Sequence, residues 1–225
     1  MTSVHRRRRV AIAMISNMLP LRVLVLSLLT GLVFAAGAPL FSGKQLVAAL
    51  QRGGYVILMR HASSPGSPPD PAQADVENIK HERQLDAGGR ASAQAMGEAI
   101  RRLRIPVGEV LSSPAYRALE TARLAQLPSP QTFDELGEVG KSMGRDQGGK
   151  PGAWLRSRVS RGPKSGTNTV IITHYPNITE AFADQATDLA EGEALILRPD
   201  GRGGASLVGR VKIDDWPKLT TAKTE

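Results

Sequence analysis

Two segments constrain this chain more than any others. Tyr55-Val56-Ile57-Leu58-Met59 runs straight into Arg60-His61, and Thr169-Val170-Ile171-Ile172-Thr173 runs straight into His174. Neither run alternates apolar with polar residues. Each therefore reads as a strand buried on both faces, the habit of a parallel sheet covered by helices. Two such strands lie more than a hundred residues apart, and each ends abruptly in an imidazole. A fold is required that brings distant strand ends together.

The intervening sequence supplies the covering layers. Leu46, Val47, Ala49 and Leu50 give Ser42–Gln51 one apolar helical face, stopped by Gly53-Gly54. Asp86–Arg104 is the strongest helical pattern, with Met96, Ile100 and Leu103 in register and Ala91 and Ala99 filling in the same face. Val107–Leu111 reads as a short strand and Pro114–Ala125 as a helix with proline in its first turn. Thr132–Leu136 is expected to be a short strand or extended segment, Ala153–Val159 and Pro176–Ala186 helices, and Lys218–Glu225 a tail. Ala194–Arg198 and Ala205–Ile213, joined through Pro199-Asp200-Gly201, read as an antiparallel hairpin at one edge. Proline and glycine mark Ser63–Ala74 and Gly137–Gly152 as loops. The expected fold is α/β: a three-layer α/β/α sandwich with a mostly parallel central sheet and an antiparallel edge hairpin. Ligands of such sheets bind beyond the carboxyl ends of the strands. Arg60, His61 and His174 stand at those ends.

Residues 1–38 differ in kind from the rest. Arg6–Arg9 and Arg22 precede the uncharged, apolar stretch Val23–Ala38, and Ala36-Gly37-Ala38 fits a small-residue cleavage site. That order reads as an export signal, with Met18 as an alternative start. Retention as a membrane anchor is the rival expectation, although Val23–Phe41 offers barely a span and carries Gly31, Gly37 and Pro39. Either outcome places the expected globular part, residues 43–217, outside the cytoplasm: periplasmic or secreted if cleaved, membrane-anchored if not. The formal charge of +8 shrinks accordingly. With the five arginines of residues 1–38 set aside, the 29 basic residues fall to 24 against 21 acids, a net of +3. That excess suits a small anionic substrate better than nucleic acid, for which aromatics at 4% offer few stacking platforms.

The chemistry follows from the residue types. Cysteine is absent, which excludes disulfides, thiolate nucleophiles and Cys-ligated zinc. His61, His81 and His174 have neither the spacing nor the neighbouring carboxylates of a metal centre, so no metal and no cofactor are expected. Phosphoryl transfer needs a nucleophile, a cradle for three oxygens and a proton donor. His61 can supply the nucleophile. Arg60 and Arg117 can supply bidentate donors. His174, if protonated, adds another, and Ser113 with the start of the Pro114 helix adds backbone N–H groups. Tyr175 and Asn177 are expected to line the pocket. Arg83 either reaches the substrate from the first loop or is an exposed cation before the long helix. Asn177-Ile178-Thr179 matches a glycosylation sequon and is taken as coincidence.

The segments "VILMRHA", "LSSPAYRALETA" and "VIITHYPN", with "ERQLDAGGRASAQAMGEAIRRL" between the first two, closely resemble the histidine phosphatase superfamily. The likeness runs from about Gly43 to Trp216. It implies a phosphohistidine on His61, a pocket completed by Arg60, Arg117 and His174, and a small phosphorylated substrate. It also implies a general acid from an "L-x-E" context. Leu136-Gly137-Glu138 fits best, with Asp134 and Glu135 as rivals. The chain departs from the resemblance at Ala62, where most members carry glycine. Three activities are compatible with these residues: a metal-independent phosphomonoesterase, a non-catalytic phosphate or phosphosugar binder using the same cradle, and a mutase. The mutase usually needs extra segments that so compact a chain lacks.

Overall fold

The computed structural model describes residues 40–41, 43–64, 82–137 and 151–220. Residues 1–38, His81, Glu138 and most of the two loops named above lie outside the described residues.

Among the described residues six strands form one sheet in the order β3-β2-β4-β1-β5-β6. The strands are β1 (Val56–Arg60), β2 (Val107–Ser112), β3 (Gln131–Thr132), β4 (Asn168–Thr173), β5 (Ala194–Pro199) and β6 (Ala205–Val211). β1, β2, β3 and β4 run parallel, while β5 pairs antiparallel with both β1 and β6. The expected edge hairpin is therefore present.

The helices are α1 (Gly43–Arg52), α2 (Ala87–Arg102), α3 (Tyr116–Leu124), α4 (Pro151–Ser160) and α5 (Tyr175–Phe182). Successive residues of β1 point to opposite faces. Ile57 and Met59 join a core with Leu46 and Leu50 of α1, Met96 and Ile100 of α2 and Ala118 and Ala122 of α3. Val56 and Leu58 join a second core with Leu155 and Val159 of α4 and Ile178 of α5. Apolar residues on both faces thus place the central strands between two helical layers. Among the described residues no helix is long and apolar enough to cross a membrane.

Three expectations are corrected. Thr132–Leu136 is not one strand: only Gln131–Thr132 pairs with β2, and Asp134–Leu136 turns as a 3-10 helix. Pro114 stands before α3 rather than in its first turn, because Ala115 is extended and serves as the N-cap. The tail expected from Lys218 is partly built in, since Lys218 closes a 3-10 helix (Ile213–Lys218) and Leu219 packs against the core.

Two contacts fix the level of the strands. Asn168, fully buried at the start of β4, donates to the carbonyls of Leu50 and Pro106 and accepts from the N–H of Tyr55. One amide thereby ties α1 and the starts of β1 and β2 to β4. At the other end Arg60 lies opposite Thr173 and Ser112 opposite Ile172. Strands β1, β2 and β4 finish nearly flush.

Helix α2 approaches the loop after β1 and the end of α3 through glycines. A Cβ on Gly89 would collide with the Ser63 carbonyl, and one on Gly97 would collide with the Ala125 carbonyl at the end of α3. Backbone cannot yield as a flexible side chain could. Gly97→Ala is expected to cost about 2 kcal/mol through this overpacking. The melting temperature should fall by roughly 4–8 °C. An unchanged transition would show that α2 and α3 are not in such close contact.

Candidate active site

The flush strand ends deliver three polar residues side by side. His61 follows β1, Ser113 follows β2 and His174 follows β4. His61 N–H still bonds the Thr173 carbonyl (3.1 Å), and Ser113 N–H bonds that of Ile172 (2.9 Å). Helices α3 and α5 start within three residues of Ser113 and His174, so their N-terminal partial positive charge lies near the same edge.

Arg117, in the first turn of α3, joins the two imidazoles. Its Nε donates to His61 Nε2 (3.1 Å) and its Nη2 to His174 Nδ1 (3.0 Å). The imidazole ring centroids are 5.2 Å apart. A guanidinium only donates, so both ring nitrogens accept and both rings are neutral. The opposite nitrogens then carry the protons. His61 Nδ1–H donates to the Ala62 carbonyl (2.8 Å), and His174 Nε2–H donates to Ser113 Oγ (2.8 Å). This pattern leaves the lone pair of His61 on Nε2, facing the cation.

Burial and charge keep the rings neutral. His61 is 2% exposed and His174 1%. Burial is the main reason that the His61 pKa is pushed down to about 3. Arg117, Arg83 and Arg60 push in the same direction, against the raising effect of the hydrogen bond to Ala62. Burial likewise holds His174 well below its ordinary value, helped by Arg117, His61, Arg83 and Arg60. The condition set on His174 as a donor, that it be protonated, is not met in this arrangement, where Arg117 occupies the nitrogen that would take the proton.

The other residues fall into place around this trio. Thr121, one turn after Arg117, accepts from the N–H of Ala62 (3.1 Å) and donates to the Arg117 carbonyl (2.7 Å). It links the two halves of the site. The methyl of Ala62 is fully buried, so the departure from glycine is absorbed without opening the backbone. Arg60 is half-buried. Its Nη2 donates to Glu191 Oε1 (2.8 Å), its guanidinium lies 5.8 Å from the Tyr175 ring centroid, and its Nε is buried without a hydrogen-bond partner. Arg83 is not the exposed cation of the bland alternative: its side chain is 17% exposed and its Nε donates to Ser64 Oγ (3.0 Å).

Two residues expected to meet the substrate have other partners. The Ser113 N–H expected as an anion donor bonds the Ile172 carbonyl, and its Oγ is engaged by His174 and by the N–H of Ala115, which makes it a holder of the imidazole. Asn177 is fully buried, which also excludes it as a glycosylation acceptor, and its Nδ2 donates to the carbonyls of Glu135 and Gly137. With Thr173 Oγ1 donating to the Leu136 carbonyl (2.7 Å), Asn177 pins the segment that leads to Glu138. Glu138 lies outside the described residues. Of its rivals, Asp134 is exposed and Glu135 half-buried.

Glu191 carries no local signal of a site residue in the sequence. It sits in the turn before β5. Because β5 runs antiparallel to β1, the residues entering β5 meet those leaving β1, and Gly192 N–H bonds the His61 carbonyl (2.8 Å). Among the described residues no three of His, Asp and Glu gather as a metal site.

The buried imidazoles impose a pH dependence on stability. An unfolded histidine protonates near 6.5 and folded His61 only near 3. Between these values the unfolded chain binds more protons, so stability is full above about 6.5 and is lost as pH falls toward 3. The slope is about 1.4 kcal/mol per pH unit for this one imidazole. Chemical denaturation at pH 5 should give an unfolding free energy lower than at pH 7 by about 2 kcal/mol from His61 alone. The His61→Gln protein should show a correspondingly shallower dependence. Identical pH profiles for the two proteins would refute the buried neutral state.

Comparison with known proteins agrees with this geometry. The family model described as histidine phosphatase superfamily (branch 1) matches residues 56–163. No protein among the curated sequences matches the chain. Among solved structures, the chain resembles that of the protein histidine phosphatase SixA complexed with tungstate, at 19% identity and a TM-score of 0.52. That alignment covers 71% of this chain and 97% of SixA. It also resembles a protein of Agrobacterium tumefaciens assigned as phosphohistidine phosphatase SixA, at 16% identity, a TM-score of 0.50, and coverage of 71% and 98%. At such identities the structural likeness speaks for the fold. The family match runs from β1 to α4, and over that span the chain is similar to the histidine phosphatase superfamily.

Proposed function

We propose that the protein is an exported phosphatase that hydrolyses a small phosphomonoester through a phosphohistidine on His61, without a metal. The observation that carries this reading is the single guanidinium of Arg117 held between the lone pairs of His61 Nε2 and His174 Nδ1. An unprotonated imidazole nitrogen, a cation and a second imidazole meet at the carboxyl edge of the sheet.

In the first step Nε2 of His61 attacks phosphorus and the bond to the ester oxygen breaks. The departing oxygen takes its proton from the general acid, which we assign to Glu138. In the second step water attacks the phosphorus of the phosphohistidine. The P–N bond breaks, its electron pair returns to Nε2, and the water's proton returns to the carboxylate. Arg117 gives up its hydrogen bond to Nε2 as the phosphoryl group arrives and transfers its donors to the phosphoryl oxygens. Arg60 and Arg83 complete the charge balance that a bound metal supplies in other phosphatases. An incoming anion also favours a proton on His174, which then changes from acceptor to donor. Names of structural relatives suggest that phosphorus–nitrogen bonds are candidate substrates alongside phosphate esters.

His61→Ala should abolish both turnover of 4-nitrophenyl phosphate and acid-labile labelling by a phosphorylated substrate, with wild-type turnover insensitive to EDTA. Glu138→Gln should keep the labelling and lose far more activity on alkyl than on aryl phosphates, because only the poorer leaving group needs a proton. Turnover or labelling that survives His61→Ala refutes the mechanism, and anion binding with no phosphate release from a broad substrate panel identifies a binding protein instead. Export rests on the charged and apolar pattern of residues 1–38. Cell fractionation should find the full chain outside the cytoplasm and a form lacking those residues within it. A full chain that stays in the cytoplasm removes that part of the proposal.

A further inference from the structure

We propose that Glu191 sets the charge of the phosphate pocket and makes it select a monoester with no second anionic group beside the phosphoryl group. The inference rests on the pocket being an anion site, as proposed above, and extends it to substrate class.

The Glu191 carboxylate gathers three donors that would otherwise be offered to an anion. Its Oε1 accepts from Arg60 Nη2 (2.8 Å) and lies 3.5 Å from Arg83 Nη2. Its Oε2 accepts from the Ser64 N–H (3.1 Å). Two guanidiniums and a backbone N–H converging on one oxyanion is the arrangement expected of a phosphate site. Here the chain supplies part of the negative charge itself.

The carboxylate is held there by its backbone. Gly192 N–H bonds the His61 carbonyl (2.8 Å), Arg60 N–H bonds the Glu193 carbonyl (3.2 Å), and Ala190 N–H bonds Glu193 Oε2 (3.0 Å). The neighbouring acid, Glu193, is engaged elsewhere by Arg210 (2.8 Å). Glu191 is therefore the acid of this turn that faces Arg60 and Arg83. Its presence changes the electrostatic sum. Arg60, Arg83 and Arg117 bring three positive charges, both imidazoles are neutral, and Glu191 removes one. The remaining charge matches a phosphoryl dianion. A second anion on the leaving group would meet Glu191 where it needs a free cation, and the loss is repulsion as well as absent attraction.

The test is calorimetric binding of inorganic phosphate and pyrophosphate to the wild-type protein, Glu191→Gln and Glu191→Asp, with circular dichroism to verify folding. Binding does not require turnover, so it separates this inference from the catalytic reading. Glu191→Gln should tighten pyrophosphate about tenfold relative to phosphate, as expected for removing one nearby unit charge. Glu191→Asp, which keeps the charge, should retain the wild-type ratio. Arg83→Gln should shift the ratio the other way, which keeps the idea testable if Glu191→Gln does not fold. Phosphate binding with an unchanged ratio in Glu191→Gln, or in Arg83→Gln, overturns the assignment while leaving the anion pocket standing. So does an Asp variant that behaves as the Gln variant does. Failure of the wild-type protein to bind either anion overturns both readings.

Discussion

One guanidinium shared between two imidazole lone pairs organises this molecule. Arg117 can donate to His61 Nε2 and His174 Nδ1 only while both rings are neutral and each carries its proton on the far nitrogen. The tautomers are fixed from outside the pair, by the Ala62 carbonyl on one ring and Ser113 Oγ on the other. The ring nitrogens therefore have no freedom to trade roles. On the proposed mechanism the lone pair of His61 Nε2 is the nucleophile, and the guanidinium that would hold the phosphoryl oxygens already rests against it. The phosphoryl group would then have one hydrogen bond to displace.

That geometry depends on strands ending at one level. His61, Ser113 and His174 converge because β1, β2 and β4 finish flush, and the register is enforced at both ends. Asn168 ties the lower ends with three hydrogen bonds in the core, while Thr121 and Thr173 tie the upper ends to α3 and to the segment before Glu138. Buried polar groups of this kind are costly unless every partner is in place. Their satisfaction makes the register a sharp minimum: a slip of one residue would strand the Asn168 amide and turn every strand residue to the opposite face.

Much of this was legible in the sequence because it is written locally. A run of apolar residues that does not alternate identifies a strand covered on both sides, so β1 and β4, the two cores and the placement of Arg60, His61 and His174 could be read directly. Arg117 was legible from the residues around it. What could not be read depends on pairing between distant segments. Glu191 lies before a strand correctly assigned to the antiparallel hairpin, yet nothing local reveals that β5 lies against β1 and so delivers its leading turn to the site. Ser113 and Asn177 were placed in the right neighbourhood with the wrong partners. A polar side chain near a pocket looks the same in sequence whether it faces a ligand or holds a neighbouring backbone, and only the bonds to His174, Glu135 and Gly137 decide. Arg83 was left open for the same reason, since its burial depends on Ser64 and Glu191.

The same charges act in opposite senses before and after an anion enters. Arg60, Arg83 and Arg117 disfavour a proton on either imidazole, reinforcing burial and keeping the His61 Nε2 lone pair free of a proton. A phosphoryl dianion cancels much of that positive potential, and the proton affinity of His174 rises because its opponents have been neutralised. On the proposed mechanism this order is the useful one: neutral rings when attack begins, and a charged donor only once negative charge has arrived to be held. Glu191 bears on the same balance. With both rings neutral it leaves a net of two positive charges for a single dianion, and on the proposed reading the proton gained by His174 holds the phosphoryl group rather than a third negative charge. Nucleophile activation and substrate choice are then consequences of one charge count, set by three arginines and a carboxylate around two buried rings.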